Sequence, residues 1–127
     1  EKNLDFIFSH ANDILNVEIN LLVNIFNFEY LPQIEEFFRK KKWKYHMNFD
    51  IKPDNSVLNC INLPTSLIVE IQEKLLNPYS QQILTKLNKE SKRNLQDITR
   101  DTKFYLAQRK MKAVDIFGKK TLEFLCL

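Results

Sequence analysis

The chain has 127 residues, 44% apolar and 28% charged, with a formal net charge of +3. That balance excludes a disordered or fibrous chain, and the length allows one ordinary hydrophobic core but not two. One Gly against four Pro leaves little material for tight hairpin turns or phosphate-cradling loops and favours helices joined at Pro- or Asn-marked corners.

Residues 10–28, "HANDILNVEINLLVNIFNF", are predicted to form one long helix. At 100° per residue Ile14, Leu15, Val17, Ile19, Leu21, Leu22, Ile25, Phe26 and Phe28 fall on an apolar arc of about 200°. The opposite side carries Asn12, Asn16, Asn20 and Asn24, which reads either as a solvated stripe or as an amide ladder for a partner. Glu18 falls inside the arc, where a carboxylate needs a cation or several donors. It marks either a core salt bridge or an edge of the arc.

A short helix is expected over about 32–42, with Pro32 in its first turn and Ile34, Phe37 and Phe38 on a buried stripe. The period then changes to two: Trp43, Tyr45, Met47, Phe49 and Ile51 alternate with Lys44, His46, Asn48, Asp50 and Lys52, the pattern of a strand with one wet face. "KPDNS" is a turn by composition. Val57 to Leu63 returns as a second strand, which makes a β-hairpin over about 43–63.

From Pro64 the helical period resumes. Thr65 or Ser66 caps a helix presenting Leu67, Ile68, Ile71 and Leu75, which Asn77 and Pro78 end. The next helix carries Ile83, Leu84 and Leu87 and either runs on exposed or breaks near Ser91. A last helix, capped near Asp101, turns Phe104, Ala107, Met111 and Val114 inward until Gly118 stops it. "KKTLEFLCL" packs back on the core, as a strand beside the hairpin. The fold class is therefore mainly α, about five helices in a compact bundle with one inserted β-hairpin.

Residues 1–127 are expected to be a single domain, excised from a larger protein because the chain opens on Glu1 rather than Met. There is no secretory signal pattern, and apolar runs such as "LLV" fall far below the roughly 18 residues of a membrane span. The expectation is no membrane contact and an intracellular location, nuclear or cytoplasmic. Thirteen Asn residues without one Asn-x-Ser/Thr sequon point the same way. Cys60 and Cys126 lie far apart and are read as buried reduced thiols. With no ligand-spaced partner for His10 or His46, neither a metal nor a cofactor is expected.

The stretch "FDIKPDNSVLN" resembles the catalytic loop of protein kinases, with Asp50 and Asn55 at that family's spacing of base and metal ligand. The resemblance implies Asp50 as base, Lys52 as phosphate contact and Asn55 as metal ligand. It covers six residues. Asn48 and Phe49 stand where the family has His and Arg, no Asp-Phe-Gly follows, no Gly-rich loop precedes, and a kinase needs about twice this length. A strand followed by a turn accounts for the same residues, so no catalytic residue is assigned.

Residues 1–80 hold 8 Lys and Arg against 11 Asp and Glu, whereas residues 81–127 hold 11 against 5, an asymmetry that points to a charged partner surface. The expected function is a non-enzymatic protein-interaction or scaffold domain of a larger intracellular protein. An apolar groove between helices would accept a partner helix or acidic peptide. Phe38, Trp43 and Tyr45 are its aromatic anchors, and Arg39, Lys41, Lys42, Lys44, Lys89, Arg93 and Arg100 its basic rim. The alternative is a nucleic-acid-binding module in which Arg39–Lys44 and Lys86–Lys112 neutralise phosphates, with a steep salt dependence.

Overall fold

The computed structural model describes residues 2–10, 17–41, 46–50, 58–76, 85 and 92–127, the segment 46–50 by its backbone. Over these the chain is mainly helical. Five α-helices are bounded among the described residues: α1 (Lys2–Ser9), α2 (Leu31–Lys40), α3 (Thr65–Lys74), α4 (Leu95–Gln108) and α5 (Lys119–Leu125). Two short strands, β1 (Glu18–Leu22) and β2 (His46–Asp50), join them.

Glu18–Leu22 is a strand, not the middle of a long helix. Val17, Ile19 and Leu21 fit a period of two as well as one of 3.6. The β-branched pair and the poor helix former Asn20 tip the balance towards the extended form. Glu18, Asn20 and Leu22 are exposed while Ile19 and Leu21 are half-buried, so Glu18 is no core carboxylate. Beyond the strand, Asn24 Oδ1 accepts from the amide of Phe26 at 2.9 Å and Asn27 Oδ1 from the amide of Asn24 at 3.0 Å. Asn27 Nδ2 donates to the carbonyl of Leu22 at 2.8 Å. These amides fold the chain locally, the competition that makes Asn unfavourable in helices. Asn12 and Asn16 lie outside the described residues.

The alternation over 43–52 does contain a strand, but its partner is β1 and the pairing is parallel, Glu18 facing His46 and Leu22 facing Asp50. Parallel neighbours require a crossover. The 3₁₀ turn Phe28–Tyr30 and α2 supply it. The expected hairpin therefore does not form over the described residues: Cys60–Asn62 is a 3₁₀ turn. Its two Asn residues explain why. Asn59 Oδ1 accepts from the amide of Ile61 at 3.1 Å, and the buried Asn62 Oδ1 accepts from the amide of Arg93 at 3.1 Å.

Helices α2 to α5 each place side chains in one apolar cluster, to which α1, exposed over its described side chains, adds none. Ile25, Phe28, Leu31, Leu63, Ile68 and Ile98 are among the cluster's most buried side chains. α2 occupies nearly the expected span but turns Leu31 and Glu35 inward, leaving Phe37 exposed and Ile34 and Phe38 half-buried. The Glu35 carboxylate is stabilised by the amide of Leu76, 3.0 Å away where the chain leaves α3. α3 buries Leu67, Ile68 and Ile71 as expected, followed by Leu75. Its cap is Pro64, which makes no side-chain capping bond, rather than Thr65 or Ser66.

α4 starts at Leu95 rather than near Asp101, because Asn94 Oδ1 caps it through the amide of Gln96 at 2.8 Å. The earlier start changes which row faces the core. Ile98, Thr102 and Leu106, four apart, are buried, while Phe104, Met111 and Val114 are exposed. Gly118 does not stop this helix; it is the cap of α5, which replaces the expected C-terminal strand. Cys60 is buried, whereas Cys126 is exposed on a left-handed residue at the end of α5, and both are free thiols. None of the described helices is long and apolar enough to cross a membrane.

Candidate protein-interaction surface

The end of α4 and the turn that follows it expose both apolar and cationic side chains. Lys110, at φ 54°, donates its amide to the carbonyl of Ala107 at 3.1 Å, and Met111 donates to Leu106 at 3.0 Å. This paired closure satisfies the last carbonyls and turns the chain away from the helix axis. Around it Phe104 is 65% exposed and Val114 68% exposed, with Met111 also open to solvent. Lys103, Lys110 and Lys112 are exposed and have no acidic partner among the described residues.

Arg109 differs from those lysines in being fixed. Its guanidinium carbon lies 3.6 Å from the centroid of the Tyr105 ring. That ring tilts against Phe26 at 5.3 Å, and Phe26 stacks on the buried Phe117 at 5.2 Å. Stacking occupies the flat face of a guanidinium and leaves its in-plane N–H donors for a planar acceptor. A ladder of three rings rooted in the core thus presents one oriented cation.

The residues chosen from the sequence are distributed differently. Phe38 is half-buried on α2, edge-on to Phe37 at 5.3 Å. Arg39 grips Glu36 through two nitrogens, at 2.9 Å from Nε and 2.8 Å from Nη2. Arg39, then Lys40, holds the Glu36 carboxyl below the usual range. Lys41 reaches Asp5 of α1 at 3.3 Å and sits 5.4 Å from the Phe37 ring. Arg100 pairs with Asp101 at 2.9 Å and with Asp97 at 3.2 Å, and these carboxylates, Asp101 first, raise its pKa further. Arg93 approaches Asp101 at 3.4 Å. Lys42, Trp43, Lys44, Tyr45 and Lys89 lie outside the described residues, as do Lys52, Pro53 and Asn55 of the kinase-like stretch, whose Asp50 ends β2. Sequence inspection took the basic residues up to Lys112 as a charged face but missed Phe104, Met111 and Val114 as surface, because their apolar spacing was assigned to the core.

A second polar cluster lies between α2, α3 and α5, in a cleft of about 160 Å³ lined by Glu29, Glu70, Lys74 and Lys120 among others. Its carboxylates are saturated. Glu29 accepts from the amides of Lys120 at 3.2 Å and Thr121 at 3.0 Å, and from the Thr121 hydroxyl at 2.9 Å. Glu70 bonds to Lys120 and, at 2.5 Å, to Lys74. Lys120 foremost, then Lys74, pulls the Glu70 carboxyl down to about 2. A carboxylate so held is a poor proton acceptor, and the cluster acts as a clasp between helices rather than as an acid–base pair. Lys92 makes a similar clasp, donating to the Leu63 carbonyl at 2.5 Å and to Thr65 Oγ1 at 2.9 Å. Partial burial lowers its pKa.

Among the described residues no three His, Cys, Asp or Glu side chains converge to hold a metal ion. Comparison with protein-family models, with curated proteins and with solved structures gave no match.

Proposed function

We propose that the chain is a non-enzymatic protein-interaction domain, and that the exposed segment Phe104–Val114 is its docking surface. One observation carries the reading: the apolar spacing that ought to build a core instead leaves Phe104, Met111 and Val114 in water at the end of α4. Exposed large apolar side chains ringed by charge are a common signature of an interaction site. The anchors thus move from Phe38 towards Phe104. For Phe38, Arg39 and Lys41 the contacts made within the chain argue for a structural part on α2 and α1.

The nucleic-acid alternative is weakened at part of its surface only. Arg39, Lys41, Arg93 and Arg100 each already face a carboxylate of their own chain. A phosphate-tracking surface would rest on the remaining cations Lys103, Arg109, Lys110 and Lys112, exposed beside the apolar side chains.

The test is selection from a random peptide library on the immobilised domain, with recovered peptides retested against Phe104→Ser/Val114→Ser. Both positions are exposed, so the double variant should keep its circular dichroism and melting temperature while losing the peptides. Peptides that bind the double variant unchanged would remove the docking surface from this segment. Selection that yields nothing, alongside tight binding of oligouridine that vanishes with salt, would favour the nucleic-acid reading.

A further inference from the structure

Resting on that docking reading, we infer that the partner segment is acidic as well as apolar, and that Arg109, held on the Tyr105 ring, is the residue that reads its carboxylate. Three observations converge on Arg109. Its charge has no acidic partner among the described residues, in contrast to Arg39, Arg93 and Arg100. Its guanidinium is oriented by the Tyr105 face at 3.6 Å, and that ring packs on Phe26, which stacks on the buried Phe117. Finally, it lies in the segment where Phe104, Met111 and Val114 are exposed.

Orientation decides what such a cation can do. A free lysine on a flexible stem contributes a screened point charge, whereas a pre-positioned guanidinium loses little freedom on forming two parallel bonds to a carboxylate. Lys103, Lys110 and Lys112, exposed on the same segment, add an attractive field, since residues 103–114 hold no acidic side chain. They steer an acidic segment without fixing it. The occupant this chemistry fits is an amphipathic peptide whose apolar residues cover Phe104 and Met111 while an Asp or Glu meets Arg109.

Two probes test this: a helical peptide of about 16 residues bearing Leu on one face and Glu on the other, and its Glu→Gln counterpart. Binding is read by fluorescence anisotropy to the wild-type domain and to Arg109→Lys, which keeps the charge and loses the fork. The Glu peptide should bind about tenfold more tightly than the Gln peptide to wild type. Arg109→Lys should erase most of that ratio, weakening the Glu peptide far more than the Gln peptide, while the circular dichroism spectrum stays that of wild type. Equal binding of the two peptides overturns the carboxylate reading and leaves the apolar docking surface standing. A ratio that survives in Arg109→Lys assigns the discrimination to the lysines and overturns the role of Arg109. No binding of either peptide overturns the inference, while the library selection still judges the docking reading independently. Arg109-dependent binding of oligouridine or of phosphatidylserine vesicles, without the Glu peptide, would replace the partner class.

Discussion

α3 and the end of α4 carry nearly the same apolar pattern and meet opposite fates. In α3, Leu67, Ile68 and Ile71 are buried with Leu75 after them; in the other segment, Phe104, Met111 and Val114 stay in water. The difference lies in what precedes each stretch. α3 issues from a turn pinned by the buried Asn59 and Asn62, with Lys92 clasping Leu63 and Thr65, so its inward face is set before the helix begins. In α4 the Asn94 cap starts the helix early enough for Ile98, Thr102 and Leu106 to occupy the core first. Periodicity identifies a face of a helix; neighbours decide whether that face is covered.

The sharpest way to break this contrast is to truncate one side chain in each region. Ile68→Ala removes a fully buried side chain and should cost about 2–4 kcal/mol in denaturant unfolding. Phe104→Ala, although it deletes more atoms, should change stability by no more than about 0.5 kcal/mol while abolishing peptide binding. A Phe104→Ala variant as unstable as Ile68→Ala would mean that its ring is core, and the docking surface would go with it.

That contrast also explains what the sequence could and could not convey. α3 was legible because its apolar row and its burial coincide. The strand at 46–50 was legible from strict alternation, but not its partner, since a residue pattern carries no register between strands distant in the chain. The turn at Cys60–Asn62 was missed because Val57 to Leu63 was read as a returning strand, whereas the side-chain amides of Asn59 and Asn62 cap and brace a turn. Arg109 was visible only as one charge in a basic run. Nothing in the residue order announces that Tyr105, Phe26 and Phe117 stack behind it.

A smaller effect tests the clasp that holds α5 against the rest. A Cβ on Gly118 would come within 2.2 Å of the Glu29 carboxyl carbon, the group that bonds Lys120 and Thr121. Gly118→Ala should therefore push Glu29 aside and destabilise by about 1–3 kcal/mol, through lost hydrogen bonds rather than backbone strain, as Gly118 has an ordinary φ of −65°. Combining it with Glu29→Ala should remove most of the extra penalty, and full additivity would show that the two do not interact. At the other region, Lys110 holds a left-handed conformation, φ 54°, which Gly adopts more readily than Lys. Lys110→Gly should raise stability by roughly 0.5–1 kcal/mol and, by removing a charge, slightly weaken binding of the Glu peptide. The two readouts moving in opposite directions would separate folding from docking at a single residue.

The smallest expected effect concerns pH. It distinguishes the regions because the cations of one are paired and those of the other are not. Glu70 on α3 titrates at about 2, against 4.5 when unperturbed, chiefly because Lys120 of α5 bonds its carboxylate, with Lys74 helping. A carboxyl whose pKa is depressed in the folded state adds stability above the unfolded value, and that contribution disappears as pH falls through the folded one. The Glu70 share should therefore be complete above about pH 4.5 and lost on descending towards pH 2. Thermal melts across this interval should fall less steeply for Glu70→Gln than for wild type, and added salt should narrow the gap because the pair is open to solvent. Parallel curves for the two proteins would mean that Lys120 contributes nothing through Glu70, leaving the Glu29 bonds and apolar packing to hold α5. The peptide surface should be indifferent to this substitution at neutral pH. Lys103, Lys110 and Lys112 have no acidic partner among the described residues to lose, and the ring that orients Arg109 is backed by Phe26 and Phe117 rather than by the helix clasp.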